Sequence, residues 1–219
     1  MTQPSDNKGD AKARIMHAAL CEFAVMGFDA ATVRSICEAA GVNVAAVNYY
    51  FNSKENLYHE VIRAQFEDFG VQLIRIPDKV HDEASWRAAV HEWVLHSLQI
   101  VVDDNPPHVW VNRLFMNERH NPSSQLPLLL DSFFKPVDES LRRLIRMGMP
   151  AGADEMDVQI WATSVHGQVS MLGQRSGPWK KILLPPDAER GRWLLKMAEH
   201  ISSRIISELK YRPATEKTP

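Results

Sequence analysis

In this 219-residue chain the polar side chains best arranged to bind a ligand lie between Ala31 and Leu57, in ATVRSICEAAGVNVAAVNYYFNSKENL. This stretch carries hydroxyls, amides and basic groups at Thr32, Arg34, Asn43, Asn48, Tyr49 and Lys54, with the small residues Ala45 and Ala46 between them. Such groups bind rather than react. Hydroxyls, amides and cations hold phosphates, while amides and small apolar side chains read base edges in the major groove.

Presenting that set requires helices. Val33, Ile36, Cys37, Ala40, Val42, Val47 and Phe51 fall on inward faces of two short helices, 32–40 and 43–51, capped by Thr32 and Asn43. Gly41 joins them because a tight turn needs a residue tolerant of positive φ. The second helix then points Ala45, Ala46, Asn48 and Tyr49 outward. That face is small and polar at its N-terminal end, as suits a helix entering the major groove. Upstream, Ile15, Ala18, Ala19, Phe23 and Met26 predict an amphipathic helix over 11–27 that ends at Gly27. Downstream, Ser53 caps a helix through Leu57, Val61, Ile62 and Phe66 toward about Leu73.

Helical spacing continues to the end, and period-two alternation is nearly absent. Trp86, Ala89, Val90, Trp93, Val94 and Ser97 mark a helix over 82–102. Asn105-Pro106-Pro107 and Asn121-Pro122 open two more, and Pro136 should kink or split the latter. Gly148–Gly152 is a breaker, Asp154 opens a helix to about Leu172, and Pro185-Pro186-Asp187 opens the last one, through Ile205. The expectation is an all-α chain of about nine helices. It comprises a head at 11–57, a body at 58–210, and flexible tails at 1–10 and 211–219.

Other chemistries find little support. His91 and His96 are five apart, and about 140° of helical rotation separates them, against the four-residue spacing of zinc-binding helices. There is no nucleophile elbow, phosphate loop or dinucleotide glycine fingerprint. Catalytic residues, metals and cofactors are therefore expected to be absent. Two cysteines, Cys21 and Cys37, support no disulfide framework, and both read as small buried hydrophobes of a protein in a reducing cytoplasm. No apolar run suggests a membrane span, and residues 1–10 lack the apolar core of a signal peptide. Net charge is −2, and residues 11–54 hold four basic against three acidic side chains. With no Lys or Arg on helix 43–51, modest salt dependence is expected of any DNA contact.

The head resembles the TetR family of bacterial regulators. The resemblance is carried by Phe23, Gly27, Phe28, Thr32-Val33-Arg34, Ile36, Ala40-Gly41-Val42, Asn43, Tyr49-Tyr50-Phe51, Lys54-Glu55 and Leu57. Ala31, Cys37, Ala45 and Asn48 depart from the common pattern, which obscures the operator sequence. The resemblance implies that Thr32 and Arg34 touch phosphate, with Arg34 within reach of a base. It implies that Asn43 faces a phosphate or base edge and that Ala45 and Ala46 rest on thymine methyls. It further implies that Asn48 pairs with adenine, while Tyr49 and Lys54 contact phosphates. Tyr50 and Phe51 fit the core better than the DNA.

The rest resembles the family's variable body, and Phe115–Arg119 with Phe133–Pro136 is similar to its YbiH/CecR-like branch. A body of this kind implies homodimerisation through the last two long helices, with Trp161, Val165, Gln168, Leu172, Leu194, Ala198, Ile201 and Ile205 at the interface. A small organic effector would sit among Trp110, Phe115, Met116, Phe133, Met147, His166 and Met171, with Arg142, Arg143 or His166 offering polarity, and plain core is the alternative role of these apolar residues. The Arg142-Arg143-Arg146 cluster reads as a solvated helix face that could also meet an anionic effector. The expected partners are thus double-stranded operator DNA, a second copy and an unidentified effector, with no membrane. The expected function is a homodimeric repressor released from a palindromic operator. The alternative is an all-α enzyme or partner-binding protein whose helix-turn-helix shape serves packing alone.

Overall fold

The computed structural model describes residues 6–65, 67, 70–173 and 182–212, and among them every regular element is helical. The α-helices are α1 (Asp6–Ala30), α2 (Val33–Ala40), α3 (Val44–Phe51), α4 (Lys54–Gln65), α5 (Val71–Arg75), α6 (Glu83–Val102), α7 (His108–His120), α8 (Leu126–Leu129), α9 (Lys135–Gly148), α10 (Glu155–Met171) and α11 (Asp187–Glu208). They divide between two compact units, residues 1–68 with 104–133 and residues 69–103 with 134–219. Compactness thus groups more of the chain with the head than residues 11–57.

In the first unit α1 is the hub and packs on α2, α3, α4 and α7. Phe23, Phe28 and Tyr58 form its aromatic centre, with both phenylalanine rings 5.0 Å from the tyrosine and near edge-on. Each such buried side chain contributes roughly 1.5–3 kcal/mol. The expected stop at Gly27 is a kink instead: Gly27 adopts φ 78°, ψ 166°, and one more turn runs to Ala30. Asn117 of α7 lies 3.2 Å from where a Cβ on Gly27 would sit, so conformation and close approach both demand glycine there.

In the second unit α6 lies at the centre against α9, α10 and α11. Trp86 and Trp93 are fully buried, and their indole N–H groups donate to the Leu144 carbonyl and the Ser140 hydroxyl, both at 2.8 Å. A Cβ at Gly148 would meet Trp86 at 2.6 Å, so this glycine lets α9 close on α6.

Several boundaries differ from the sequence expectation, each for a local reason. The helix begun at Ser53 ends at Gln65 and α5 begins at Val71, with residues 66, 68 and 69 outside the described residues. Asn121-Pro122 does not open a helix, because the Glu118 carboxylate accepts from both the Ser123 amide (3.0 Å) and its hydroxyl (2.7 Å) and holds a turn until α8. Pro136 sits in the first turn of α9, where its missing N–H has no helical acceptor to lose. A π-helical turn, Leu130–Phe134, precedes it. Residues 6–10, expected in a tail, belong to α1, and the Arg212 amide donates to the Met147 carbonyl at 2.7 Å. Residues 1–5 and 213–219 lie outside the described residues.

Candidate nucleic-acid interface

The helix-turn-helix is α2 and α3. Thr32, in an extended conformation, caps α2: its hydroxyl accepts from the Ser35 amide at 3.0 Å, while the Ser35 hydroxyl accepts from the Thr32 amide at 3.3 Å. Gly41 ends α2 at φ 65°, and the Val42 amide returns to the Cys37 carbonyl at 3.0 Å. Little crowds a Cβ there, since the nearest atom is an Arg14 side-chain nitrogen at 3.5 Å, so the left-handed backbone rather than space requires this glycine. Asn43 then caps α3, accepting the Ala46 amide at 3.0 Å on Oδ1.

These caps fix the rotation of α3. Val47 and Phe51 are buried against α1 and α4, which turns Ala45, Asn48 and Tyr49 to solvent, Tyr49 with 68% of its surface exposed. Ala46 and Tyr50 are half-buried, and Tyr50 packs edge-on to Tyr49 at 4.9 Å. Thr32, Arg34 and Asn43 are exposed. Arg34 pairs with Glu38 at 3.0 Å across two exposed side chains. Such a pair is worth under about 1 kcal/mol, so a phosphate can compete for the guanidinium. Sequence reasoning missed Val44, which is 46% exposed in the first turn of α3. The cap at Asn43 already implied it, because the first residue after an N-cap points away from the core here.

Lys54 has an employment that its sequence position did not reveal. Its ammonium donates to the carbonyls of Phe28 (2.8 Å), Asp29 (3.4 Å) and Ala31 (3.1 Å) and lies 4.3 Å from the centre of the Phe28 ring. Behind it in α4, the Tyr58 hydroxyl donates to the buried Glu118 carboxylate at 2.9 Å. Burial and that neighbouring carboxylate hold the Tyr58 phenol well above its ordinary pKa. Burial raises the thiols of Cys21 and Cys37; Cys37 is buried as expected, whereas Cys21 is only half-buried, with its Sγ 3.9 Å from His17 Nε2.

The expected effector residues divide between the units. Trp110, Phe115, Met116 and Phe133 belong to the first, where the rings of Phe115 and Phe133 are 4.6 Å apart. Met147, His166 and Met171 belong to the second, with Met171 exposed and His166 bonded to Asp138 at 3.0 Å. The arginine cluster is neutralised internally. Arg142 binds Asp138 and Gln159, Arg143 binds Asp78, and Arg146 binds Glu139 and Glu155, pairs that an anionic effector would have to displace.

The expected dimer residues also divide. Val165, Leu172, Ala198, Ile201 and Ile205 are buried within the protomer, Trp161 and Leu194 are half-buried, and Gln168 is exposed. The exposed apolar groups on these helices are Met156, Ile160, Met171 and Leu195. A groove along α10 and α11 runs past Ile160, Trp161, Ser164, Gln168, His200 and Arg204. His91, one of the two spaced histidines, bonds Ser202 at 3.0 Å. Among the described residues no group of three or more potential metal ligands converges, and no helix is long and apolar enough to cross a membrane.

Comparison with known proteins adds an independent line. Residues 15–61 match the family model described as bacterial regulatory proteins, tetR family, and residues 88–176 match that of the C-terminal domain of the HTH-type transcriptional dual regulator CecR. CecR of Shigella flexneri is 27% identical over 174 residues, 74% of this chain and 75% of that protein. The transcriptional regulator RutR of Escherichia coli K12 is 29% identical over 164 residues, 71% of this chain and 72% of its own. Among solved structures, the fatty acid degradation regulator FadR of Bacillus halodurans matches with TM-score 0.64 at 17% identity, covering 90% of this chain and 99% of its own. FadR of Bacillus subtilis, solved in complex with stearoyl-CoA, matches with TM-score 0.62 at 13% identity, covering 89% and 97%. At such identities these two establish the fold alone.

Proposed function

Because the chain belongs to the TetR family and is a DNA-binding transcriptional regulator, we propose that it acts as a cytoplasmic homodimeric repressor of a palindromic operator, released by a small organic effector. The observation that carries this reading is the outward face of α3, small and polar, aimed by two side-chain caps and a left-handed glycine. Thr32, Arg34 and Tyr49 serve the phosphates, Asn43 a phosphate or base edge, and Ala45, Ala46 and Asn48 the bases. One head presents one recognition helix. A second copy, paired through α10 and α11, supplies the other half-site about 34 Å away.

The effector we favour has a large apolar part, because the candidate residues Trp110, Phe115, Met116 and Phe133 are apolar and two of their rings lie 4.6 Å apart. A solved structure of this fold holds stearoyl-CoA, a long acyl chain on an anionic CoA group, and it is the acyl chain that supports an apolar site in a body of this kind. The enzyme alternative loses support because the named relatives are regulators. Selection of binding sites from a random duplex pool, followed by gel-shift against the DNA flanking the gene, is the test. A two-fold symmetric site released by an apolar metabolite is expected, and binding with no sequence preference would sink the proposal.

A further inference from the structure

A lysine at the start of α4 invites assignment to a phosphate, yet the surroundings of Lys54 describe something else. The last turn of α1 leaves carbonyls without helical partners, as helix ends must. An ammonium carries three hydrogens and no acceptor. Lys54 Nζ faces three carbonyls, those of Phe28, Asp29 and Ala31, and the Phe28 ring covers another side. Its hydrogen-bonding capacity is therefore spent inside the protein, at the negative end of a helix dipole.

The positions of the two ends give this contact its meaning. Ala31 immediately precedes Thr32, the N-cap of α2, and Lys54 begins α4 just after the α3–α4 turn, where Asn52 adopts φ 66°. The bond from Lys54 to Ala31 thus joins the chain entering the helix-turn-helix to the chain leaving it.

We propose that Lys54 is a positioning residue, a clasp that closes the helix-turn-helix and sets the presentation of α3 without itself binding phosphate; this rests on the DNA-binding reading above. A clasp of this kind serves sequence-specific binding above all. Loosening it lets α2 and α3 shift relative to α1, which degrades base contacts that need fixed geometry. General attraction to phosphates tolerates the shift.

Lys54→Arg and Lys54→Met separate the possibilities. Arginine keeps the charge and is the better phosphate ligand, but its planar fork cannot direct three hydrogens around one point. Affinities for the selected operator and for random duplex are measured over a salt series, at a temperature where circular dichroism shows full helicity. The clasp predicts that both variants lower the operator-to-random ratio by at least about tenfold while the operator salt slope stays within about 0.3 of wild type. A phosphate contact predicts that Lys54→Arg binds normally, while Lys54→Met loses operator and random affinity equally and its slope drops by about 1. A merely structural lysine predicts lower melting temperatures with the ratio unchanged. Either of the last two results overturns the clasp, and Lys54→Arg alone decides if Lys54→Met fails to fold. A wild-type protein that does not distinguish operator from random duplex would remove the DNA-binding reading itself.

Discussion

Tyr58→Phe isolates one buried hydrogen bond at the joint between α4 and α7. The ring is 1% exposed and held edge-on by Phe23 and Phe28, so phenylalanine fills the same space and keeps the aromatic contacts. What disappears is the donation to Glu118, itself 4% exposed, which accepts otherwise only from the Ser123 amide and hydroxyl among the described residues. A hydrogen bond to a charged group contributes about 1.5–3 kcal/mol, and a buried carboxylate that loses a donor has no water to replace it. Tyr58→Phe should therefore destabilise by about 1.5–3 kcal/mol in urea unfolding followed by circular dichroism. Glu118→Gln should cost a similar amount, since one of its amide faces then opposes a donor. The double variant should cost less than the sum, because both changes remove the same bond. The phenol pKa is raised on folding, so its contribution is complete below the unfolded tyrosine value of about 10 and is lost as pH rises past it. The gap between wild type and Tyr58→Phe should be flat through neutral pH and close above about pH 10. A loss under about 0.5 kcal/mol, or additive costs in the double variant, would refute the claim that this bond braces α4.

Further outcomes follow from exposure and charge. Ile160→Asp, at a side chain 60% exposed, should leave the fold intact and give monomers in sedimentation velocity, whereas Ile201→Glu, at 2% exposed, should unfold the second unit. A monomeric wild type at micromolar concentration would sink the interface. Burial lowers the His166 pKa despite Asp138, so its contribution is present above the unfolded value of about 6.5 and lost as pH falls below it. His166→Gln should flatten that acid limb of the stability profile, and an unchanged limb would count against the assignment. If Val44 packs on a thymine methyl, deoxyuridine in the selected half-site should weaken binding roughly fourfold per methyl, and Val44→Ala should blunt the effect. Equal affinity for the two DNAs would exclude that contact.

The short helices of the helix-turn-helix and their caps were legible from residue order alone, because they depend on neighbours within a few residues. Thr32, Gly41 and Asn43 act through hydrogen bonds and backbone angles that are local by nature, and the apolar spacing of Val47 and Phe51 fixes which face of α3 is outward. Residue order was equally informative about α6, whose buried positions follow the stripe from Trp86 to Ser97. The roles that depend on distant chain could not be read this way. Nothing near Lys54 in sequence announces the carbonyls of Phe28 and Ala31, and nothing near Glu118 announces Tyr58, sixty residues earlier. Residues 155–173 carry two apolar stripes, Val158, Trp161, Val165 and Leu172 on one and Ile160, Gly167 and Met171 on the other. Which of them the protomer buries was settled by how α10 packs on α6 and α9, placing Val165 inside and Ile160 outside. A periodic pattern says that a face must be covered. Only the packing of the other helices decides by what.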